Sequence, residues 1–321
     1  MKVALCFIIS YDHVLNKEAV WRKWIEANKE LFNIYVYYKD INKIQSAWLK
    51  QYAIPEEYIY NTSYYHVIPA YISLMNFALL HDTQNQWFCF CTDSCCPIVS
   101  PKRFKYSFNK YYNKSIISWK PAWWNINVHK RANLALLLPE EARLGNEPYF
   151  IMKRENVKQC LHFTQNEPNI TRLICDGGLA NESLFAIILY YYKELSNVLC
   201  FPTHVADWSR MASATSPYLF CEASKENAAF IEESLINHPY MFFIRKMSPD
   251  FPDAVLNKYI YEYSLERDKQ LIGDNLFPIK KMYPVLVYIF SIAAFFLSVG
   301  VIFTYGAGVY ILLTFPSRTT I

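Results

Sequence analysis

Short apolar runs alternate along this chain with longer segments whose apolar residues recur every three or four positions. The short runs predict strands over Val3–Ser10, Asn33–Tyr38, Trp87–Thr92, Ser115–Trp119, Tyr149–Lys153, Val198–Phe201 and Tyr240–Arg245. The longer segments predict helices over Lys17–Lys29, Ile41–Gln51, His66–His81, Glu155–Phe163, Glu182–Leu195 and Lys225–Ile236. Alternation of this kind points to an α/β fold with a largely parallel sheet flanked by helices. Ligands of such sheets bind beyond the carboxyl ends of the strands. That rule directs attention to Tyr11–His13, Lys39–Asp40, Asp93–Ser94 and Lys246.

The two ends differ. MKVALCFIIS, at the start, is too short to span a membrane and lacks a small-residue cleavage site, so it reads as a buried first strand. From Tyr283 to Phe315 no residue is charged and nearly all are apolar, which predicts a transmembrane helix near Pro284–Phe303. We therefore expect a catalytic-size domain over residues 1–275 and a single-pass membrane anchor over 276–321.

Composition adds three points. Aromatic residues make up 17% of the chain, with 26 Tyr, 22 Phe and 8 Trp, enough to build a core and still leave rings for stacking on sugars. The net charge of +4 comes without a dense Lys/Arg block, so nothing points to nucleic acid as a partner. Nine cysteines cannot all pair, and the cluster Cys89, Cys91, Cys95, Cys96 lacks the C-x-x-C pairs of structural zinc sites. These thiols read as reduced packing residues of a domain facing the cytosol, which leaves the sequons at Asn61, Asn113, Asn169 and Asn181 unmodified.

No G-x-G-x-x-G, P-loop, G-x-S-x-G or H-E-x-x-H is present, which removes the dehydrogenase, NTPase, lipase-type and zincin classes. After the third strand stands Thr92-Asp93-Ser94-Cys95, where many nucleotide-sugar transferases carry two carboxylates that hold a divalent ion. A lone Asp93 is a poor site for a hard cation, so a departing diphosphate would need fixed cations instead.

Three later segments carry a resemblance. GNEPYFIMKRENV (Gly145–Val157), ANESLFAIIL (Ala180–Leu189), and THVADWS (Thr203–Ser209) followed by MFFIRKMSPDF (Met241–Phe251) resemble, in order, blocks of the core-2/I-branching enzymes, the family 14 glycosyltransferases. KVALCFIISY, FNIYVYYKD and FCFCTDSCCPI resemble that family's opening strands and its L-S-x-x-C-x-P segment. The resemblance implies a GT-A-like fold, inversion at the anomeric carbon, no metal or other cofactor, and a UDP-sugar donor of N-acetylglucosamine or xylose. The acceptor would be a glycan or glycoprotein. Two departures stand out: Asn181 replaces the family's Asp, and Tyr65-His66-Val67 stands where a tryptophan-glycine-serine element is usual. They leave a second reading open, a non-catalytic sugar-binding or scaffold protein. The compact form suggests a viral or bacterial-type member working in the cytosol, or in the host cytoplasm if viral.

On the family pattern Glu182 is the general base, although a glutamate that follows a good N-cap at Asn181 can also serve only the helix dipole. Lys246, with Arg245 and more weakly Arg210, would neutralise the diphosphate. Asp12, Asp40 and Asp93 are candidates for the nucleotide, and Trp123, Trp124 and Tyr149 for the acceptor sugar. Asp176 and Asp207 are the next candidates for the base.

Overall fold

A computed structural model describes residues 1–213 and 215–263. The predicted membrane anchor lies outside the described residues; among those described, no helix is long and apolar enough to cross a membrane.

The chain begins β1 (Lys2–Ile8), α1 (Glu18–Glu26), β2 (Phe32–Tyr37), α2 (Ala47–Lys50), α3 (Ile68–His81) and β3 (Asn85–Thr92). It continues through β4 (Cys96–Pro97), α4 (Pro101–Tyr111), β5 (Trp119–Pro121), β6 (Leu144–Asn146), β7 (Ile151–Lys153), α5 (Arg154–Asn166) and α6 (Pro168–Asp176). The described part ends with α7 (Leu184–Tyr191), β8 (His204–Val205), α8 (Lys225–Asn237), β9 (Phe243–Ile244) and α9 (Asp253–Lys258).

The main sheet has the order β2-β1-β3-β7, with β1 parallel to both neighbours and β7 antiparallel at the edge. Leu5 of β1 stands opposite Ile34 on one side and Cys89 on the other. Both faces of β1 are buried. Val3, Leu5 and Phe7 enter one apolar layer with Trp21, Trp24 and Phe243, while Ala4, Cys6 and Ile8 enter another with Tyr71, Leu74 and Phe185. Burial on both faces is why this strand reads as an unbroken hydrophobic run. Trp21 and Trp24 are fully buried, and their indole N–H groups donate to Cys95 O at 2.9 Å and Val99 O at 2.8 Å. Removing either ring would cost about 3–5 kcal/mol. A smaller sheet, β4-β9-β8, packs into the Trp21 layer, and β5 and β6 form a separate antiparallel pair.

Several elements differ from the sequence expectation, each for a local reason. Of Ser115–Trp119 only Trp119 enters a strand, β5, while Ile116 makes isolated pairings with Ile151 and with Leu199 of the expected strand Val198–Phe201. The ladder stops because the Lys153 N–H donates to Ser115 Oγ rather than to a backbone carbonyl. The helix expected over Ile41–Gln51 shrinks to α2, since Asp40 accepts from the Asn42 N–H and Ser46 caps Leu49. Such short polar side chains compete with the helix for backbone donors. α4 was not expected, although Ser100 as N-cap and Pro101 at the first helical position are readable start signals.

Candidate functional site

The carboxyl ends of β1 and β3 meet first. Asp93, just past β3, accepts from the Ser10 N–H at 3.0 Å, and its carbonyl accepts from the Asn16 N–H. The carboxylate thus ties the two strand exits together, and its burial pushes its pKa up. Asp12 is exposed, and Asp40 sits in a turn 3.7 Å from Lys43. Beside them Tyr11 donates to Thr62 O and carries Lys39 over its ring at 4.7 Å, which makes an aromatic and cationic rim.

Glu182 comes to this end by a different route. It is not in the first turn of α7, as the sequence suggested. It closes a 3-10 turn over Ala180–Glu182, and Ser183, with φ −147° and ψ −45°, separates that turn from α7. Asn181 is therefore not the N-cap of α7, a place taken by Ser183. Leu179, left-handed with φ 47°, donates its N–H to Tyr65 O at 2.7 Å and sets the turn in place. Asn146, fully buried at the end of β6, donates to Asn181 O at 2.9 Å and accepts from the Ala186 N–H at 3.1 Å. One amide thus clamps β6 to both the turn and the helix.

Around Glu182 lies a group of charges. Arg131 Nη1 is 3.1 Å from Glu182 Oε2, and the guanidinium lies over the Trp124 ring at 5.4 Å. Glu147, next after Asn146, is a second partly buried carboxylate in the field of Glu182. Burial pushes the Glu147 pKa up, against the pull of Arg245 and Lys120. Burial is also the largest influence on Glu182, and together with the Glu147 charge it outweighs Arg131 and Arg245 to leave the pKa raised. Arg245 lies over the Tyr149 ring at 3.9 Å, with its Nε buried and unpartnered. Asn181 Oδ1, Ser183 Oγ and Trp124 Nε1 are likewise buried without partners.

The predicted residues therefore divide. Glu182, Arg245, Tyr149 and Trp124 belong to this charged group. Trp123 is 47% exposed and packs on Gly145, where a Cβ would meet the ring at 2.5 Å. Lys246 Nζ donates to Ser216 Oγ at 3.3 Å. Arg210 is committed elsewhere: it pairs with Asp207 at 2.6 Å and Glu226 at 3.1 Å and lies over the Tyr218 ring. Asp207 is bound in the same loop by the Ser209 hydroxyl and two backbone N–H groups. Arg131 and Glu147 were missed. Glu147 stands inside the G-N-E-P-Y-F block and could have been weighed there; Arg131 has no local signal.

Two surface cavities lie elsewhere. One of about 660 Å³ is lined by Arg22, Trp48 and Tyr52, and one of about 450 Å³ by Tyr58, Thr171 and Asp176. Neither is lined by Glu182, Glu147 or Arg245.

A parallel-containing sheet with partly buried carboxylates and cations beyond its strand ends suits a group-transferring enzyme of the α/β class. The model of the Core-2/I-Branching enzyme family matches residues 4–231, and the chain belongs to that family. Membership implies a glycosyltransferase, with a nucleotide-sugar donor and a glycan acceptor. Among curated proteins none matches the sequence.

Proposed function

We propose that this chain is an inverting glycosyltransferase of GT-A type that moves N-acetylglucosamine or xylose from a UDP-sugar to a glycan hydroxyl. The observation that carries the reading is Glu182, a half-enclosed carboxylate beside Arg131 whose pKa burial pushes up. A general base works best with a pKa moved toward the working pH, and burial moves Glu182 in that direction. Glu182 accepts the acceptor hydroxyl's proton as that oxygen attacks the anomeric carbon and the UDP leaves from the opposite face. Arg245 and Lys246 offset the charge on the departing diphosphate, since Asp93 is followed by Ser94 and Cys95 rather than by a second carboxylate. The rim of Tyr11 and Lys39 takes the nucleotide, and Trp123, Trp124 and Tyr149 take the acceptor. The uncharged stretch Tyr283–Phe315 supports a membrane tether, with the domain on the cytosolic side.

Glu182→Gln keeps the shape but cannot accept a proton, so single-turnover transfer should fall by roughly 100- to 10,000-fold while donor affinity holds. Glu155, exposed and paired with Lys158 at 3.1 Å, is the control. Near-wild-type transfer by the Glu182 variant would remove the proposed base. The rival reading, a sugar-binding protein without turnover, draws on Asn181 and on the hold of Arg131 over Glu182; consumption of donor by the wild-type chain excludes it.

A further inference from the structure

At the exit of β3 the chain folds back through a tight turn. The Cys95 N–H donates to Thr92 O at 3.1 Å, and the Thr92 N–H donates to Cys95 Sγ at 3.3 Å. This brings Cys95 back toward Cys91, although the two are four positions apart in sequence. From β8, 113 positions away, His204 presents Nε2 to Cys91 Sγ at 3.7 Å. All three residues are buried, and their ligand atoms lie within 4.8 Å of one another.

The imidazole is held in a defined sense. The Thr203 hydroxyl donates to Tyr149 O at 3.1 Å, so its oxygen accepts from the His204 Nδ1–H at 3.0 Å. Nδ1 therefore faces the hydroxyl, which leaves Nε2 as the ring nitrogen that faces the sulfurs. Metal-binding histidines are oriented in this way, by a hydrogen bond from the nitrogen that does not ligate. Buried cysteines elsewhere lack such a partner: Cys160 meets Met152 Sδ, and Cys6 meets the carbonyl of Ala4. Burial alone explains those thiols. It does not explain two sulfurs converging on a preset imidazole.

We propose that Cys91, Cys95 and His204 form a binding site for a borderline transition-metal ion of the zinc(II) class. Tetrahedral zinc with Zn–S near 2.3 Å and Zn–N near 2.0 Å sets sulfur and nitrogen about 3.6 Å apart. The observed 3.7 Å between Cys91 and His204 meets that requirement without rearrangement. Two sulfurs and one imidazole select zinc-like ions over Mg²⁺ or Mn²⁺, which prefer oxygen. The site is thus distinct in kind from a diphosphate-bound hard cation. On loading, each thiol gives up its proton to solvent as a metal–sulfur bond forms, and Nε2 donates its lone pair without losing a proton. The two thiolates then balance the dication, with a fourth position for Thr92 Oγ1 (3.4 Å from Cys95 Sγ) or water. The ion would join the β3 exit to β8 directly beneath Tyr149, whose ring lies 5.2 Å from that of His204.

The site does not depend on sugar transfer, and its test reads binding rather than activity. The full chain, reduced and stripped of metal, is titrated with cobalt(II) and followed by absorbance. One equivalent should produce thiolate-to-cobalt charge-transfer and tetrahedral ligand-field bands, both abolished by added zinc(II). Cys95→Ser and His204→Gln should lose these bands, and Cys89→Ser, in the same strand, should keep them. Thr203→Val, which removes only the orienting hydroxyl, should weaken cobalt(II) binding by about 10- to 100-fold. Circular dichroism establishes that each variant is folded, and Thr203→Val serves as the discriminating variant if a ligand substitution unfolds the chain. Absence of charge-transfer bands in the folded, reduced wild-type chain overturns the proposal. So does wild-type affinity in both folded His204→Gln and Thr203→Val.

Discussion

Arg131 Nη1 lies 3.1 Å from Glu182 Oε2, so the proposed base is held by a guanidinium that rests on the Trp124 ring. The pair is only partly enclosed, with side chains 23% and 14% exposed. Arg131 favours the ionised carboxylate and opposes the larger upward push of burial.

Replacing Arg131 by Met therefore raises the Glu182 pKa further. Transfer requires the ionised base, so the rising acid limb of kcat/KM against pH should move to higher pH. Stability should fall by roughly 1–2 kcal/mol, the range for a pair between surface and core. An acid limb that stays in place would show that Glu182 is not the group being titrated.

Glu147 is shifted in the same direction as Glu182. Its folded-state pKa is raised by burial above the ordinary 4.5, so the folded chain binds more protons than the unfolded chain between those two values. Stability from this group is thus highest below pH 4.5 and falls as pH rises through the window to the folded pKa. Glu147→Gln removes the loss. The variant should melt higher than wild type at neutral pH, and the difference should shrink in acid. Equal differences at both pH values would place the effect in packing rather than ionisation.

The cations separate by role. Arg245→Ala and Lys246→Ala should each cost about 100- to 1,000-fold in turnover, the usual loss for one preorganised group that stabilises a transition state. Adding Mg²⁺ or Mn²⁺ should leave the wild-type rate unchanged. Arg210→Ala should act on stability instead, by roughly 1–3 kcal/mol, because the buried Asp207 carboxylate loses its closest cation. A turnover loss for Arg210→Ala without a fall in melting temperature would reverse this division.

Gly145→Ala tests the platform. The added Cβ would meet Trp123 at 2.5 Å and Trp124 at 3.1 Å, so the indoles must shift. Overpacking of this kind costs about 1–3 kcal/mol. If the two rings seat the acceptor, KM for acceptor should rise while donor affinity stays the same. An unchanged acceptor KM with a lowered melting temperature would confine the rings to a structural role.

The sequence by itself determined the three parallel strands and the family. β1, β2 and β3 were legible because burial on both faces demands continuous apolar runs, and that demand is written in consecutive residues. The ordered blocks pointed to the family, and ANESLF drew attention to Glu182. Only the tertiary structure decided what surrounds Glu182. Arg131 and Glu147 reach it from loops distant in sequence, and Ser183 detaches it from α7, which local capping signals did not reveal. The same holds for the cysteines. Cys91 and Cys95 read as packing residues because their spacing matches no zinc pattern, and His204 meets them only through the pairing of β8 with β9. Hydrophobic periodicity is a local property of the chain, whereas charge pairing and ligand geometry depend on which loops the fold brings together.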